Sequence, residues 1–355
     1  MTKIDIKPIV FEDPSTVKKI INKHQDIYVN DAFERQIKEL FFIDNLQFIG
    51  QDKTEVCKSP EFNKYRNKKK DDFLYVYYPW NYSLVKCVKE ADYFRLKTNR
   101  NQDLITAEEQ KRLRDYKVAV FGMSVGSNIA FVLTQSGISK NITIADFDEL
   151  DTTNLNRIWA GVYQVGLNKC VIAARRIYED NPYAKVSALT KGISSPQLEN
   201  LLKSKKIDCI VEEIDNMLLK IEIRKLAIKY KTPVLMVTDN GDWAVLHIER
   251  YDLGYKKFFE KDVDYWRKRL RQYDPRKDFA DIVINQIVGG PDKVDSRMLL
   301  SANKVIAKKL VSWPQLGSAA LLGGIAVTVA IKRIVRGESR ERFIKEYLYP
   351  ISRLD

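Results

Sequence analysis

The chain has 355 residues, 45% hydrophobic and 11% aromatic, enough apolar content for a sizeable core, which excludes disorder as its main state. That length predicts one large domain with a smaller companion. The formal net charge of +13 favours acidic partners, but the lysines are spread along the whole chain.

The one dense basic run, Lys64–Lys70, lacks the interleaved aromatics of a nucleic-acid module. It reads as a solvated loop, and no nucleic-acid partner is expected. Cys57, Cys87, Cys170 and Cys209 form no C-x-x-C pair, and only His24 and His247 could assist them. Neither a structural zinc site nor a disulfide framework follows, so a reducing, cytoplasmic setting is expected. The opening MTKIDIKPIV has charges where a signal peptide carries its apolar core. Val311–Ile331 is free of charge, yet its Gly, Ser, Pro and Gln residues interrupt the hydrophobicity that a membrane span needs. It reads as a buried or interface helix, with no membrane partner.

Taken in order, Pro14–Leu46 shows helical periodicity, with Val17, Ile20, Ile21, Phe33, Ile37, Leu40 and Phe41 as its apolar positions. A polar stretch follows over Gln51–Asp72. Phe73–Trp80 reads as an aromatic strand closed at Pro79, and Leu84–Leu96 as a helix. Thr106 and Glu109 have the spacing of a capping box and open a short helix. The pattern then changes. Lys117–Phe121 is a buried strand, Ser127–Ser136 an apolar helix and Asn141–Ala145 a second strand. Leu167–Glu179 is a helix, Val186–Leu189 a weak strand and Ser195–Leu202 a helix. Cys209–Val211 is a strand, a long helix runs to Tyr230, and Val234–Val237 and Ala244–Arg250 are strands. Strands alternating with helices of this length predict a doubly wound, mostly parallel α/β sheet. After Tyr255 helices are expected over 262–273, 279–288, 296–311 and 315–336. The boundaries suggest an α+β extension over 1–98, a nucleotide-binding domain over 99–254 and a helical region over 255–355 packing on it.

Gly122-Met-Ser124-Val-Gly126 is a turn between strand and helix. Its first glycine permits a tight turn, the second lets backbone approach a phosphate, and the helix then offers free N–H groups and partial positive charge. G-x-S-x-G also matches a serine-hydrolase elbow, which needs a later acid and histidine. His247, the only downstream histidine, lies inside an apparent strand. Asp146, 24 residues after Gly122, ends the second strand, where a carboxylate grips ribose hydroxyls in dinucleotide folds.

Asp146-Phe-Asp148, Asn154-Leu-Asn-Arg157 and Gly166-Leu-Asn-Lys169 follow in order, and Asp215-Asn216 closes a later strand. This set resembles the ThiF/MoeB/ubiquitin-activating family of ATP-using adenylyltransferases, over about residues 100–250. The resemblance implies a Rossmann-like fold. It implies that Asp146 holds the ribose and that Asn154, Arg157 and Lys169 contact the triphosphate. It further implies that Asp215 holds Mg2+, and that Gly122, Ser124, Gly126 and Asp148 complete the ATP pocket. Arg100, in Arg100-Asn-Gln102, stands where the family has an arginine that reaches the partner subunit's ATP, so a homodimer is implied.

The chemistry so implied is attack of a carboxylate on the α-phosphorus of ATP, with pyrophosphate leaving. Arg157, Lys169 and metal-bound Asp215 would stabilise charge building on phosphate oxygens. The carboxylate is already ionised, so no general base is required, in keeping with a chain of two histidines. The partners implied are a peptide or ubiquitin-like protein carrying that carboxylate, and an acceptor nucleophile or transferase.

Departures from the family pattern sharpen the expectation. Ser124 and a shortened turn replace G-x-G-G-x-G, and the family's zinc-binding cysteine pairs are missing. No cysteine follows Cys209, so the expected product is an acyl-adenylate without a downstream thioester; Cys170 reads as packed in a helix. GMSVGSNIA, IADFDELDTTNLNR, SWPQLGSAALLGG and YYPWNYSLV resemble ThiF-domain proteins sometimes fused to a nitroreductase-like domain, and no flavin-binding domain is expected here. A nicotinamide- or flavin-dependent Rossmann oxidoreductase and a catalytically silent scaffold of the same fold remain alternatives.

Overall fold

A computed structural model describes residues 4–24, 26–338 and 340–349. The chain forms two units, Met1–Gln110 with Tyr178–Tyr183, and Lys111–Ile177 with Ala184–Asp355.

The first unit contains β1 (Ile9–Phe11), α1 (Pro14–Lys23), β2 (Tyr28–Asp31), α2 (Phe33–Asp44), α3 (Lys53–Val56), α4 (Pro60–Lys69), β3 (Phe73–Tyr78), β4 (Ser83–Val88) and α5 (Glu90–Thr98). Its sheet runs β1-β3-β4-β2, with β2 parallel to β4 and the other pairs antiparallel. Helix α2 buries Phe33, Ile37, Leu40 and Phe41, one face at helical spacing, against Val56, Phe62 and Val88. Three expectations are corrected here. The periodic run 14–46 is two helices with β2 between them. The basic run is not a loop: Lys64–Lys69 lies on α4, where Ser59 caps the Phe62 N–H, Pro60 occupies the first turn and buried Phe62 anchors the helix. Leu84 begins no helix, because Ser83–Val88 pairs with β3 and the helix starts only at Glu90.

Helix α6 (Ala107–Asp115) opens with the expected capping box. The Thr106 N–H donates to Glu109 Oε2 at 2.8 Å, and the Glu109 N–H to Thr106 Oγ1 at 3.2 Å.

The second unit holds β5 (Val118–Phe121), α7 (Val125–Gln135), β6 (Asn141–Ala145), α8 (Lys169–Asp180) up to Ile177, β7 (Lys185–Leu189), α9 (Ser195–Lys203), β8 (Cys209–Glu212), α10 (Met217–Tyr230), β9 (Val234–Asn240) and β10 (Trp243–Glu249). After them come α11 (Val263–Arg269), α12 (Pro275–Asp281) with a π-helical turn over Ile282–Val288, α13 (Ser296–Ile306), α14 (Gly317–Arg336) and β11 (Phe343–Leu348). The sheet order is β11-β10-β9-β8-β5-β6-β7. Strands β5 to β9 are parallel neighbours, and β10 is antiparallel to both β9 and β11. The expected doubly wound α/β architecture is present. Strand β11 was not expected in a helical region; its alternating FIKEYL pattern becomes a strand only by pairing with β10.

Fully buried β5 and β8 lie at the sheet's centre, as their unbroken apolar runs require. Helix α14 is, among the described residues, the one helix long and apolar enough to cross a membrane, by length and composition alone. Half of that apolar window is buried, and the helix packs on α7, β9 and β10, as a core helix does. Gly323 and Gly324 permit this approach: an added Cβ would meet Val237 Cγ1 at 2.9 Å and the Asn128 carbonyl oxygen at 3.2 Å.

An ionic cluster is sealed between α10 and the sheet. Arg224 of α10 donates to Glu249 Oε2 at 2.7 Å and to Glu212 Oε2 at 2.9 Å, and Lys220 donates to Glu212 Oε1 at 2.9 Å. Tyr251 and the Phe259 N–H satisfy the other Glu249 oxygen. Each charge is thus paired and hydrogen-bonded, the condition under which burial of ions is tolerated.

Candidate functional site

From β5 the chain moves to β6 and β7 on one side, then returns to β8 and β9 on the other. The carboxyl ends of β5 and β8 therefore flank a topological switch point, where open α/β sheets bind ligands. The turn after β5 enters it. Gly122 has φ +87°, and an added Cβ would collide with the Glu213 carbonyl oxygen in the loop after β8. Gly126 brings α7 against β5, with Val120 Cγ1 2.9 Å from its absent Cβ. Ser124 precedes α7, which has no side-chain cap and no acid in its first turn. Its first N–H groups are free for an anion.

Asp146 faces this turn with both oxygens engaged. Oδ2 accepts the Met123 N–H at 2.6 Å, and Oδ1 accepts the Asp148 N–H at 2.8 Å. The carboxylate thus braces the turn, while its remaining lone pairs stay free for hydroxyl donors. Asn168 ties the same loop together, donating to the carbonyls of Asp146, Asp148 and Thr190 at 3.2, 3.1 and 3.3 Å. Lys169, at the start of α8, is buried and donates to Asp148 Oδ2 at 2.9 Å, and Asp148 itself is exposed.

Arg157 closes the other side. Its Nε donates to Ser124 Oγ at 3.0 Å, and its Nη1 to Asn156 Oδ1 at 2.9 Å and the Thr153 carbonyl at 3.2 Å. Burial lowers its pKa from the ordinary arginine value, against the opposing pull of Asp239 and Asp215. Asn154 sits one turn earlier, its Oδ1 accepting the Asp151 N–H at 3.1 Å.

Asp215 follows β8. It is not the helix cap: Asn216 caps α10 by accepting the Leu219 N–H at 3.0 Å. Asp215 is open to solvent, yet the surrounding protein raises its carboxyl pKa above the usual value, burial first and then Glu212 and Asp148, with Lys220 and Lys169 opposing. Both hold for a carboxylate in a crevice, which water reaches on one side only. No group of three metal-ligating side chains occurs among the described residues. One carboxylate near an uncapped helix amino end is compatible with Mg2+, which is usually held by one or two carboxylates together with phosphate oxygens and water.

The second unit thus brings together Gly122, Ser124, Gly126, Asp146, Asp148, Asn154, Arg157, Lys169 and Asp215. Arg100 belongs to the first unit, exposed on the turn Asn99–Asn101. Cys170 is fully buried in α8, and burial pushes its thiol pKa up, as expected of a packing residue.

The sequence reading missed Asp239, near the end of β9. It is 9% exposed, and neither carboxylate oxygen has a hydrogen-bond partner. Burial raises its pKa to about 7, with Arg157 opposing. A signal was available: Asp239-Asn240 after VLMVT repeats the Asp215-Asn216 that follows CIVEEI.

The ThiF family model matches residues 96–351. "Uncharacterized protein MT1398" of Mycobacterium tuberculosis is 35% identical over 269 residues, 75% of this chain and 36% of that protein. The ubiquitin-like modifier-activating enzyme 5 of Caenorhabditis briggsae is 31% identical over 36% of this chain and 32% of its own length. The chain thus spans about a third of the length of these relatives. The tRNA threonylcarbamoyladenosine dehydratase of Bacillus subtilis is 31% identical over 39% of this chain and 54% of its own length. Among solved structures, the E. coli tRNA N6-threonylcarbamoyladenosine dehydratase in complex with AMP aligns with a TM-score of 0.51 at 18% identity, over 70% of this chain and 98% of that one. E. coli MccB aligns with a TM-score of 0.50 at 17% identity, over 88% and 81%. These structures share the fold. With a match across most of its length, and with the motifs of that match gathered at one crevice, the chain belongs to the ThiF family.

Proposed function

We propose that this protein is an ATP-dependent adenylyltransferase that activates the carboxylate of a peptide or of a ubiquitin-like protein's C-terminus. The observation that carries the reading is Arg157: its Nε meets Ser124 at the amino end of α7, which sets a guanidinium beside free helix N–H groups at the switch point. The names of the relatives, ubiquitin-like modifier-activating enzyme and tRNA threonylcarbamoyladenosine dehydratase, support it.

In this reading the substrate carboxylate attacks the α-phosphorus of ATP, and pyrophosphate leaves. The α7 N–H groups and Arg157 hold the phosphates and offset charge that builds on their oxygens. Lys169 enters already oriented by Asp148. Asp146 fixes the turn and offers its remaining lone pairs to the ribose. Asp215 would hold Mg2+, which supplies further charge neutralisation on the phosphates. Residues 210–355 contain no cysteine to form a thioester, so in this reading the acyl-adenylate passes to a nucleophile or transferase outside that stretch. A cytoplasmic homodimer, with Arg100 reaching the other subunit's nucleotide, completes the proposal.

Calorimetry with ATP and Mg2+ tests it. Wild type binds, and Arg157→Ala weakens binding by about 100-fold, the loss of bidentate contacts to phosphate. A wild type that binds NADH and not ATP would replace this reading by the oxidoreductase one.

A further inference from the structure

Asp239 is the one buried carboxylate, among the described residues, with both oxygens unpartnered. Leaving such a group without a donor is costly, and it points to a ligand that brings one.

Its surroundings are fixed by contacts on either side. Val237 lies two residues earlier on β9, hence on the same face of the sheet, and packs on α14 at Gly323. Asp242, just past β9, accepts from Ser318 Oγ at 3.3 Å. Asp239 therefore sits between these two contacts, beneath the opening turns of α14. The opening residues of α14, Gly317, Ser318, Ala319 and Ala320, are small, and the residue paired with Asp239 on β10 is Ala244. Gly317 is pressed against the backbone of Asn156, where any Cβ would collide with the carbonyl oxygen. That contact brings the amino end of α14 to Arg157. The 20-residue α14 has no side-chain cap and no acid in its first turn, so its leading N–H groups and positive end stay open. The Arg157 charge acts on Asp239, yet no ion pair forms between them.

The surroundings of Arg157 thus have two unlike sides. One is an anion-binding side, made by the α14 amino end and Arg157. The other is a single acceptor, Asp239. A carboxylate alone satisfies only the first. A carboxylate whose α-carbon carries an N–H group satisfies both.

We propose that Asp239 is a specificity-determining residue that accepts a hydrogen bond from an N–H group on the α-carbon of the activated carboxylate, while the amino end of α14 and Arg157 receive that carboxylate. The proposal rests on the adenylation reading and deepens it. The donor is either the ammonium of a free amino acid or the amide of a peptide C-terminus, and the experiment separates the two.

The probes are three stable acyl-adenylate mimics, the sulfamoyl adenosines carrying propionyl, glycyl and N-acetylglycyl groups. Their affinities are measured by calorimetry on the full chain, with ATP as the reference ligand. At least one nitrogen-bearing mimic binds wild type about tenfold tighter than the propionyl mimic, the worth of one hydrogen bond to a charged group. The tighter of the two names the donor, ammonium or amide. In Asp239→Leu this preference collapses. In Asp239→Asn, which keeps an acceptor oxygen, part of it survives; a thermal melt of each variant confirms folding. Equal binding of all three mimics to wild type overturns the role of Asp239, as does a preference that survives in Asp239→Leu. Failure of wild type to bind ATP or any mimic overturns the adenylation reading itself, a separate outcome.

Discussion

Arg157 donates from Nε to the hydroxyl of Ser124 at 3.0 Å, so the residue that breaks the glycine pattern of the turn is the one that anchors the guanidinium over α7. Ser124→Ala removes that anchor and leaves Arg157 tied to Thr153 and Asn156. ATP affinity then falls by about fivefold, about 1 kcal/mol for one neutral acceptor lost. Arg157→Lys does not restore an Arg157→Ala variant, because an ammonium cannot span these acceptors in a planar fork. Calorimetry on the three variants checks both statements.

Asp146 has a structural duty that any binding experiment must separate from its proposed contact with ribose. Asp146→Ala leaves the Met123 and Asp148 N–H groups without their acceptor. A loss of about 2–4 kcal/mol in unfolding free energy is expected, about 1–2 for each donor stranded. Asp146→Asn keeps one acceptor and loses about half as much. Urea unfolding of both variants, beside ATP titration, shows how much of any lost affinity is lost fold.

Gly122→Ala strikes the turn in two ways, through its φ of +87° and the collision with the Glu213 carbonyl. Destabilisation of about 2 kcal/mol or more is expected, together with loss of ATP binding. A variant that melts with wild type would show that the turn gives way more easily than its geometry implies.

The pH dependence of stability reports on Asp239. Its folded pKa is raised to about 7, above that of an unfolded aspartate, so between those values the native state holds a proton that the unfolded chain has released. Stability therefore falls as pH rises through this window, at up to about 1.4 kcal/mol per pH unit, and levels off above pH about 7. Asp239→Asn lacks this slope. Urea midpoints at pH 5 and pH 8 should diverge, the variant gaining on wild type at pH 8.

Arg224 is the keystone of the sealed ionic cluster. Arg224→Ala leaves buried Glu249 without a countercharge and buried Glu212 with Lys220 alone, at a cost of about 3–5 kcal/mol. Replacing Lys220, Arg224, Glu212 and Glu249 together by apolar residues of matching size should recover most of that loss, since each removed charge also removes its desolvation cost. Thermal melts of the single and quadruple variants test this.

Much of the candidate crevice was legible in residue order because its determinants are local. VAVF and NITIA are strands buried on both faces, the glycines and Asp146 follow their ends, and Lys169 opens α8. What escaped depends on partners distant in sequence. FIKEYL alternates weakly and is exposed in part, and only β10 makes it a strand. YVND is exposed throughout, so it lacks the apolar signal on which strand reading relies. The helix carrying the basic run had its start signals, Ser59-Pro60-Glu61, in view. Asp239 reads as an ordinary strand-end residue. Its want of a partner is a property of the groups packed around it, which no local pattern encodes.

The pairing of β10 with β11 also sets a timetable for synthesis. Trp243–Glu249 leaves the ribosome long before Phe343–Leu348, roughly a hundred residues later, which at 5–20 residues per second is a wait of about 5–20 s. Throughout that interval one edge of the nascent sheet stays unpaired and open to strand addition. Slowing translation between these two strands should therefore lower the soluble yield, and supplying the 343–348 strand as a free peptide during synthesis should raise it.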